Sequence, residues 1–134
     1  MKDRIFVIDG SSYLYRAYHA MPPLSTSSGQ PTGAVKGVTN MLMNLKKDSE
    51  GSSIIVVFDA KGKTFRSDIY SEYKANRPPM PDELRDQLVP VKSICRAIGF
   101  PLIEIEGVEA DDVIATIANM AKDANYKCVI SSLD

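Results

Sequence analysis

Three short runs of continuous apolar residues punctuate the chain, at 5–8 (IFVI), 54–58 (IIVVF) and 128–130 (CVI). They are rich in β-branched residues, and their unbroken rather than alternating character suits parallel strands covered on both faces. A fourth strand is expected at 102–105, after Gly99, Phe100 and Pro101. Between these runs the apolar spacing becomes helical. Ser11 and Ser12 can cap a helix through 13–20, and Val35, Val38, Leu42 and Leu45 form one stripe within 33–47. Asp82 can cap a helix bearing Leu84, Leu88, Val91, Cys95 and Ile98, which Pro90 is expected to kink or interrupt. Asp111 and Asp112 open another, with Val113, Ile114, Ile117 and Ala121 on its inner face. Strands alternating with helices predict an α/β fold with a mainly parallel central sheet flanked by helices. Residues 22–31 read as a Ser/Pro/Gly loop, and 76–81 (NRPPMP) suits neither regular helix nor central strand.

Composition narrows the picture without deciding it. A chain of 134 residues is one domain at most, and its 44% apolar and 25% charged residues are those of an ordinary globular protein. The net charge of −1 advertises no polyanion partner, although a group of acids can mask a basic face elsewhere. Cys95 and Cys128 lie far apart without metal-type spacing, so reduced thiols are expected. His19 is the sole histidine and has no matching ligand or nucleophile. Gly10, Gly33 and Gly37 build no phosphate-cradling loop, and Met41 and Met43 fit helix packing. No apolar run is long enough for a signal peptide or membrane span, so a cytoplasmic location is the default expectation.

The chemistry concentrates at the strand ends. The three runs lead into Asp9, Asp59 and Asp134, while the strand at 102–105 leads into GVEADD with Glu109, Asp111 and Asp112. In a parallel sheet all of these fall along one edge, where ligands bind outside the carboxyl ends of the strands. Any one such Asp can be only a helix cap or turn residue. Several strand ends all delivering acids call for compensation, because clustered carboxylates repel one another. Oxygen-only donors point to one or two hard divalent cations, Mg²⁺ or Mn²⁺ rather than zinc. A second signal lies at 61–77, where Lys61, Lys63, Arg66, Lys74 and Arg77 alternate with Asp68 and Glu72 around Tyr70 and Tyr73. Such a stretch is either a solvated helix face or a surface that neutralises phosphates and stacks an unpaired base.

These residues resemble a known family. DGSSYLYRAYHA after the first strand, VVFDAKGKTFR after the second, YKANRPPMP and GVEADDVI are similar, in order and spacing, to the 5′ nuclease (5′-3′ exonuclease) domain of bacterial DNA polymerase I. That domain belongs to the flap-endonuclease and PIN-like group, with a parallel sheet flanked by helices. The resemblance implies that Asp9, Asp59, Glu109 and Asp111 hold a first metal directly or through water, that Asp112 lies nearby and that Asp134 serves a second. It implies that Lys74 and Arg77 contact the scissile phosphate and Tyr73 stacks the displaced base. Arg16 and the tyrosines of the first helix would lie near the substrate's 5′ end, and Lys63 and Arg66 of the basic stretch are expected to bind DNA. Residues from about 73 to 100 resemble the start of a helical arch through which a flap threads. The implied substrate is a 5′ flap or 5′ end at a duplex junction, or an RNA–DNA hybrid. The oligomeric state is not implied.

Family members run well beyond the position of Asp134, into a second acid and a helix-hairpin-helix-like module that grips duplex DNA. Residues 1–134 are therefore expected to be the N-terminal part of such a domain, truncated on its C-terminal side. Leu133 stands where the family would lead one to expect glycine. The expected activity is metal-dependent phosphodiester hydrolysis in replication or repair. The alternative is a weakly catalytic or inactive nucleic-acid-binding fragment. A phosphohydrolase with Asp9 as covalent nucleophile needs a second Asp two residues on, where this chain has Ser11.

Overall fold

The computed structural model describes residues 4–20, 24–49, 51–59 and 81–132. In chain order the elements are β1 (Arg4–Asp9), α1 (Gly10–Ala20), α2 (Gly33–Asp48), β2 (Ser53–Val57), α3 (Asp82–Arg85), α4 (Leu88–Ile98), β3 (Leu102–Ile103), α5 (Ala110–Asp123) and β4 (Lys127–Ser131). The four strands form one sheet in the order β3-β2-β1-β4. Every pairing is parallel, with Asp9 opposite Val57 and Ile8 opposite Ser131.

In β1 and β2 the unbroken apolar runs are explained by burial on both sides, while β4 at the sheet edge leaves Ile130 exposed. Ile8, Ile54, Val56 and Phe58 join Leu14, Val38, Leu42, Val91 and Cys95 in one core beneath α1, α2 and α4. The alternate positions, Val7 and Val57, meet Ala110, Val113 and Ile114 of α5 in a second core on the opposite face. A three-layer α/β/α arrangement results, as the alternation of strand and helix predicts. Cys95 is fully buried, and burial pushes its thiol up to about 11, as befits a packing residue rather than a reactive one. Among the described residues no helix is long and apolar enough to cross a membrane.

Three local expectations change. The strand at 102–105 is only two residues long, because the chain turns at once through Gly107, whose φ is +81°, into α5. Glu104, expected within that strand, instead pairs with Lys92 on α4 at 2.7 Å. Asp82 does not cap α3; Pro81 occupies the cap position and Asp82 bonds Arg85 at 3.0 Å. Pro90 does not interrupt its helix either. It is the third residue of α4, in the first turn, where a missing N–H removes no intrahelical hydrogen bond.

The break falls at Asp86 and Gln87, and Gln87 supplies its cause. Its side chain turns inward, 2% exposed, accepts the Val35 N–H at 3.0 Å and donates to the Glu83 carbonyl at 3.0 Å. It thus satisfies an otherwise orphaned donor in the first turn of α2 while tying that helix to α3. Gln87→Leu should lower the unfolding free energy by about 1–3 kcal/mol, the cost of a buried donor left without a partner. Urea denaturation checks this; an unchanged midpoint and slope would show that water replaces the amide at no cost.

Candidate metal and nucleic-acid site

The order β3-β2-β1-β4 places a switch point between β1 and β4, since the chain builds outward from β1 to β3 and then crosses to the other side. In open α/β sheets, ligands bind in the crevice outside the carboxyl ends of the strands at such a point. Asp9 ends β1 on one side of it. Ser131 ends β4 on the other, and its Oγ shares a 2.5 Å hydrogen bond with the Tyr13 hydroxyl of α1.

Asp9 is 6% exposed and takes the capping role expected of Ser11 and Ser12. Its Oδ1 accepts the Ser12 N–H at 3.2 Å, and Ser12 Oγ donates back to the Asp9 carbonyl at 3.0 Å. Asp59 lies two residues past β2 and is exposed. Its Oδ1 accepts the Ala110 N–H at 2.7 Å, so it satisfies the first amide of α5 from another strand. Its Oδ2 accepts from Ser11 Oγ at 3.2 Å. Glu109 occupies the N-cap position of α5, 4% exposed, with Asp111 and Asp112 in the first turn.

The acidic edge is therefore built on the N-termini of α1 and α5. Each helix start carries a partial positive charge, roughly half an elementary charge, which favours carboxylates there and relieves part of their repulsion. The close approach of α1 to β2 sets the spacing of the two strand-end acids. Gly10 follows Asp9 directly, and a Cβ on it would lie 2.6–2.9 Å from the ring of Phe58, the neighbour of Asp59.

A match over residues 4–134 to the family model described as 5'-3' exonuclease, N-terminal resolvase-like domain, decides the kinship. The chain belongs to this family. It is 58% identical over 130 residues to DNA polymerase I of Pseudomonas aeruginosa, which covers 97% of this chain and 14% of that protein. It is 45% identical over 130 residues to a 5'-3' exonuclease of Aquifex aeolicus, covering 97% of this chain and 45% of the relative. The solved structure of T5 5'-exonuclease with divalent metal ions (zinc) bound superposes with a TM-score of 0.75 at 24% identity, over 98% of this chain and 49% of that one. The expected PIN-like nuclease fold is thereby established, and the chain spans less than half the length of these relatives.

Within this exonuclease-family domain, Asp9, Asp59 and the start of α5 with Glu109, Asp111 and Asp112 share one edge of the sheet. Arg16 is exposed on α1, beside Tyr15 and His19, whose rings stack with centroids 6.5 Å apart. Lys63, Arg66, Tyr73, Lys74, Arg77 and Asp134 lie outside the described residues, as do residues 73–80 of the arch expected at about 73–100. Of that expected arch, residues 88–98 form α4, with Val91 and Cys95 in the core. Among the described residues no three His, Cys, Asp or Glu side chains are gathered into a group that could hold a metal ion. By donor type the all-oxygen edge suits a hard divalent cation. Asp9 and Asp59 each accept a helix amide, and each Asp59 oxygen, with one donor apiece, retains a further lone pair. Two partners of Asp59 escape a reading by pattern: an amide 51 residues away and the Ser11 hydroxyl 48 residues away. The only sequence signal for either is a serine pair directly after the strand-end Asp-Gly.

Two cavities lie elsewhere among the described residues. One of about 570 Å³ opens between the end of α1 and the start of α2, against Tyr18, His19 and Leu24. Another of about 610 Å³ lies at the opposite end of the strands, by Ser53 and Phe100. Neither is lined by Asp9 or Asp59.

Proposed function

We propose that this chain carries the metal-binding half of a 5′ nuclease that hydrolyses DNA phosphodiester bonds with Mg²⁺ or Mn²⁺. The observation that supports this best is the pair of strand-end carboxylates, Asp9 and Asp59, joined through the starts of α1 and α5 in a chain of the 5′-3′ exonuclease family. Asp9, Asp59, Glu109 and Asp111 would hold a first ion, with Asp112 beside them and Asp134 serving a second. The chemistry supplied by such ions is activation of a water and neutralisation of charge at phosphorus. Lys74 and Arg77 would grip the scissile phosphate, and Tyr73 would stack the displaced base. Arg16, Lys63 and Arg66 would neutralise flanking phosphates. A substrate with a 5′ flap or 5′ end at a duplex junction, including an RNA–DNA hybrid, fits this set. A cytoplasmic role in replication or repair fits such an activity.

A labelled 5′-flap duplex incubated with the chain, with Mg²⁺ or with chelator, tests the proposal. Mg²⁺-dependent release of the flap is the expected result. Salt-sensitive binding without turnover would instead identify a nucleic-acid-binding fragment, and neither binding nor cleavage would defeat both readings. Lys74→Ala and Arg77→Ala should each slow cleavage by about 10²–10³-fold, since charge develops on the phosphate in the transition state. They should change the DNA Kd far less. Single-turnover rates alongside fluorescence anisotropy check this, and parental rates in both variants would sink the assignment.

A further inference from the structure

Resting on the metal reading above, we propose that Ser11 is a positioning residue for Asp59. Asp59 stands beyond the last residue of β2 and is exposed, so packing does not orient its carboxylate. Two hydrogen bonds do. The Ala110 N–H holds Oδ1 at 2.7 Å and the Ser11 hydroxyl holds Oδ2 at 3.2 Å. The first donor is backbone and belongs to α5; the second is a side chain and belongs to α1. Asp59 is thus stretched between the two helix starts that build the edge.

Ser11 occupies a place where a hydroxyl usually turns back onto its own helix. Ser12, its neighbour, does so by donating to the Asp9 carbonyl at 3.0 Å. Ser11 instead reaches another strand, carried there by the contact that brings Gly10 against the Phe58 ring. A hydroxyl O–H given to one carboxylate oxygen fixes the rotation of that group about its Cβ–Cγ bond. The lone pairs left for a cation then point in one direction rather than several. Such outer partners typically matter by about 10–100-fold in metal affinity or activity.

The test compares the 134-residue chain with Ser11→Ala and Ser11→Thr by calorimetric titration with Mn²⁺ in the absence of DNA. Ser11→Ala should weaken Mn²⁺ binding about tenfold, and Ser11→Thr, which keeps the hydroxyl, should bind within about threefold of the parent. Melting temperatures of the metal-free proteins should agree. On a flap substrate, Ser11→Ala should lower kcat and leave KM for DNA near the parental value. Equal Mn²⁺ affinity in parent and Ser11→Ala overturns the inference while leaving the metal reading intact. A loss in Ser11→Thr as large as in Ser11→Ala overturns it too, because the hydroxyl is then not what matters. A parent chain that takes up no Mn²⁺ defeats the metal reading, and this inference with it.

Discussion

Asp9→Asn and Asp59→Asn should each lower Mg²⁺-supported cleavage by about three orders of magnitude while the protein stays folded. Asparagine is the informative replacement because it keeps one carbonyl oxygen. That oxygen can still accept the Ser12 N–H in α1 or the Ala110 N–H in α5, so both helix starts remain satisfied. At position 59 the new amide can donate to Ser11 Oγ, reversing the present bond without breaking the contact. The change that remains is the loss of a negative charge at the edge. A bound cation offers several kcal/mol of transition-state stabilisation, and losing about 4 kcal/mol corresponds to about a thousandfold in rate. The alanine variants should lose activity similarly and in addition lose about 1 kcal/mol of stability with the missing cap. Cleavage rates and thermal melts measured together separate the two effects. Asparagine variants that cut at the parental rate would remove both acids from the chemistry.

Gly10→Ala should be the most damaging conservative change in the core. The added methyl would meet three ring atoms of Phe58 at 2.6–2.9 Å, and that ring is only 1% exposed, so it has little room to withdraw. Overpacking of this kind typically costs about 1–3 kcal/mol. For a domain of this size the melting temperature should fall by several degrees, roughly 3–6 °C per kcal/mol. Activity should fall as well, since Gly10 adjoins Asp9 and Phe58 adjoins Asp59, and displacing one moves the other. Phe58→Leu makes room, so adding it to Gly10→Ala should restore part of the stability lost. A double-mutant cycle measures this coupling, and strictly additive effects would show that the two positions do not set each other's spacing.

Much of this architecture is legible in the chain because local and global signals agree. The runs at Ile5 and Ile54 are unbroken because helices cover both faces of β1 and β2, so the parallel sheet is legible in the pattern. The run at Cys128 instead forms edge strand β4, where Ile130 is 52% exposed. The acids at positions 9 and 59 stand out because each ends such a run. What pattern does not carry is contact across distance. Gln87 reads as an ordinary polar residue, yet it decides where α3 and α4 part, through partners supplied by α2 and α3. Pro90 then sits harmlessly in a first turn, so a residue that breaks helix interiors breaks nothing here. The capping of α1 by Asp9 rather than by Ser11 or Ser12 is likewise a competition among neighbours that propensity ranks nearly equal. Freed from capping, Ser11 reaches Asp59, a pairing 48 residues apart that no spacing rule anticipates. The basic stretch at 61–77 lies outside the described residues, and its part in binding rests on composition and resemblance.

The most direct measurement is anomalous diffraction from crystals of the chain soaked in Mn²⁺. A manganese peak is expected outside the carboxyl ends of β1 and β2, with carboxylate oxygens of Asp9 and Asp59 at about 2.1–2.2 Å, near the short contacts of hard divalent cations. Manganese bound elsewhere, with no density beside Asp9 and Asp59, would contradict the metal reading.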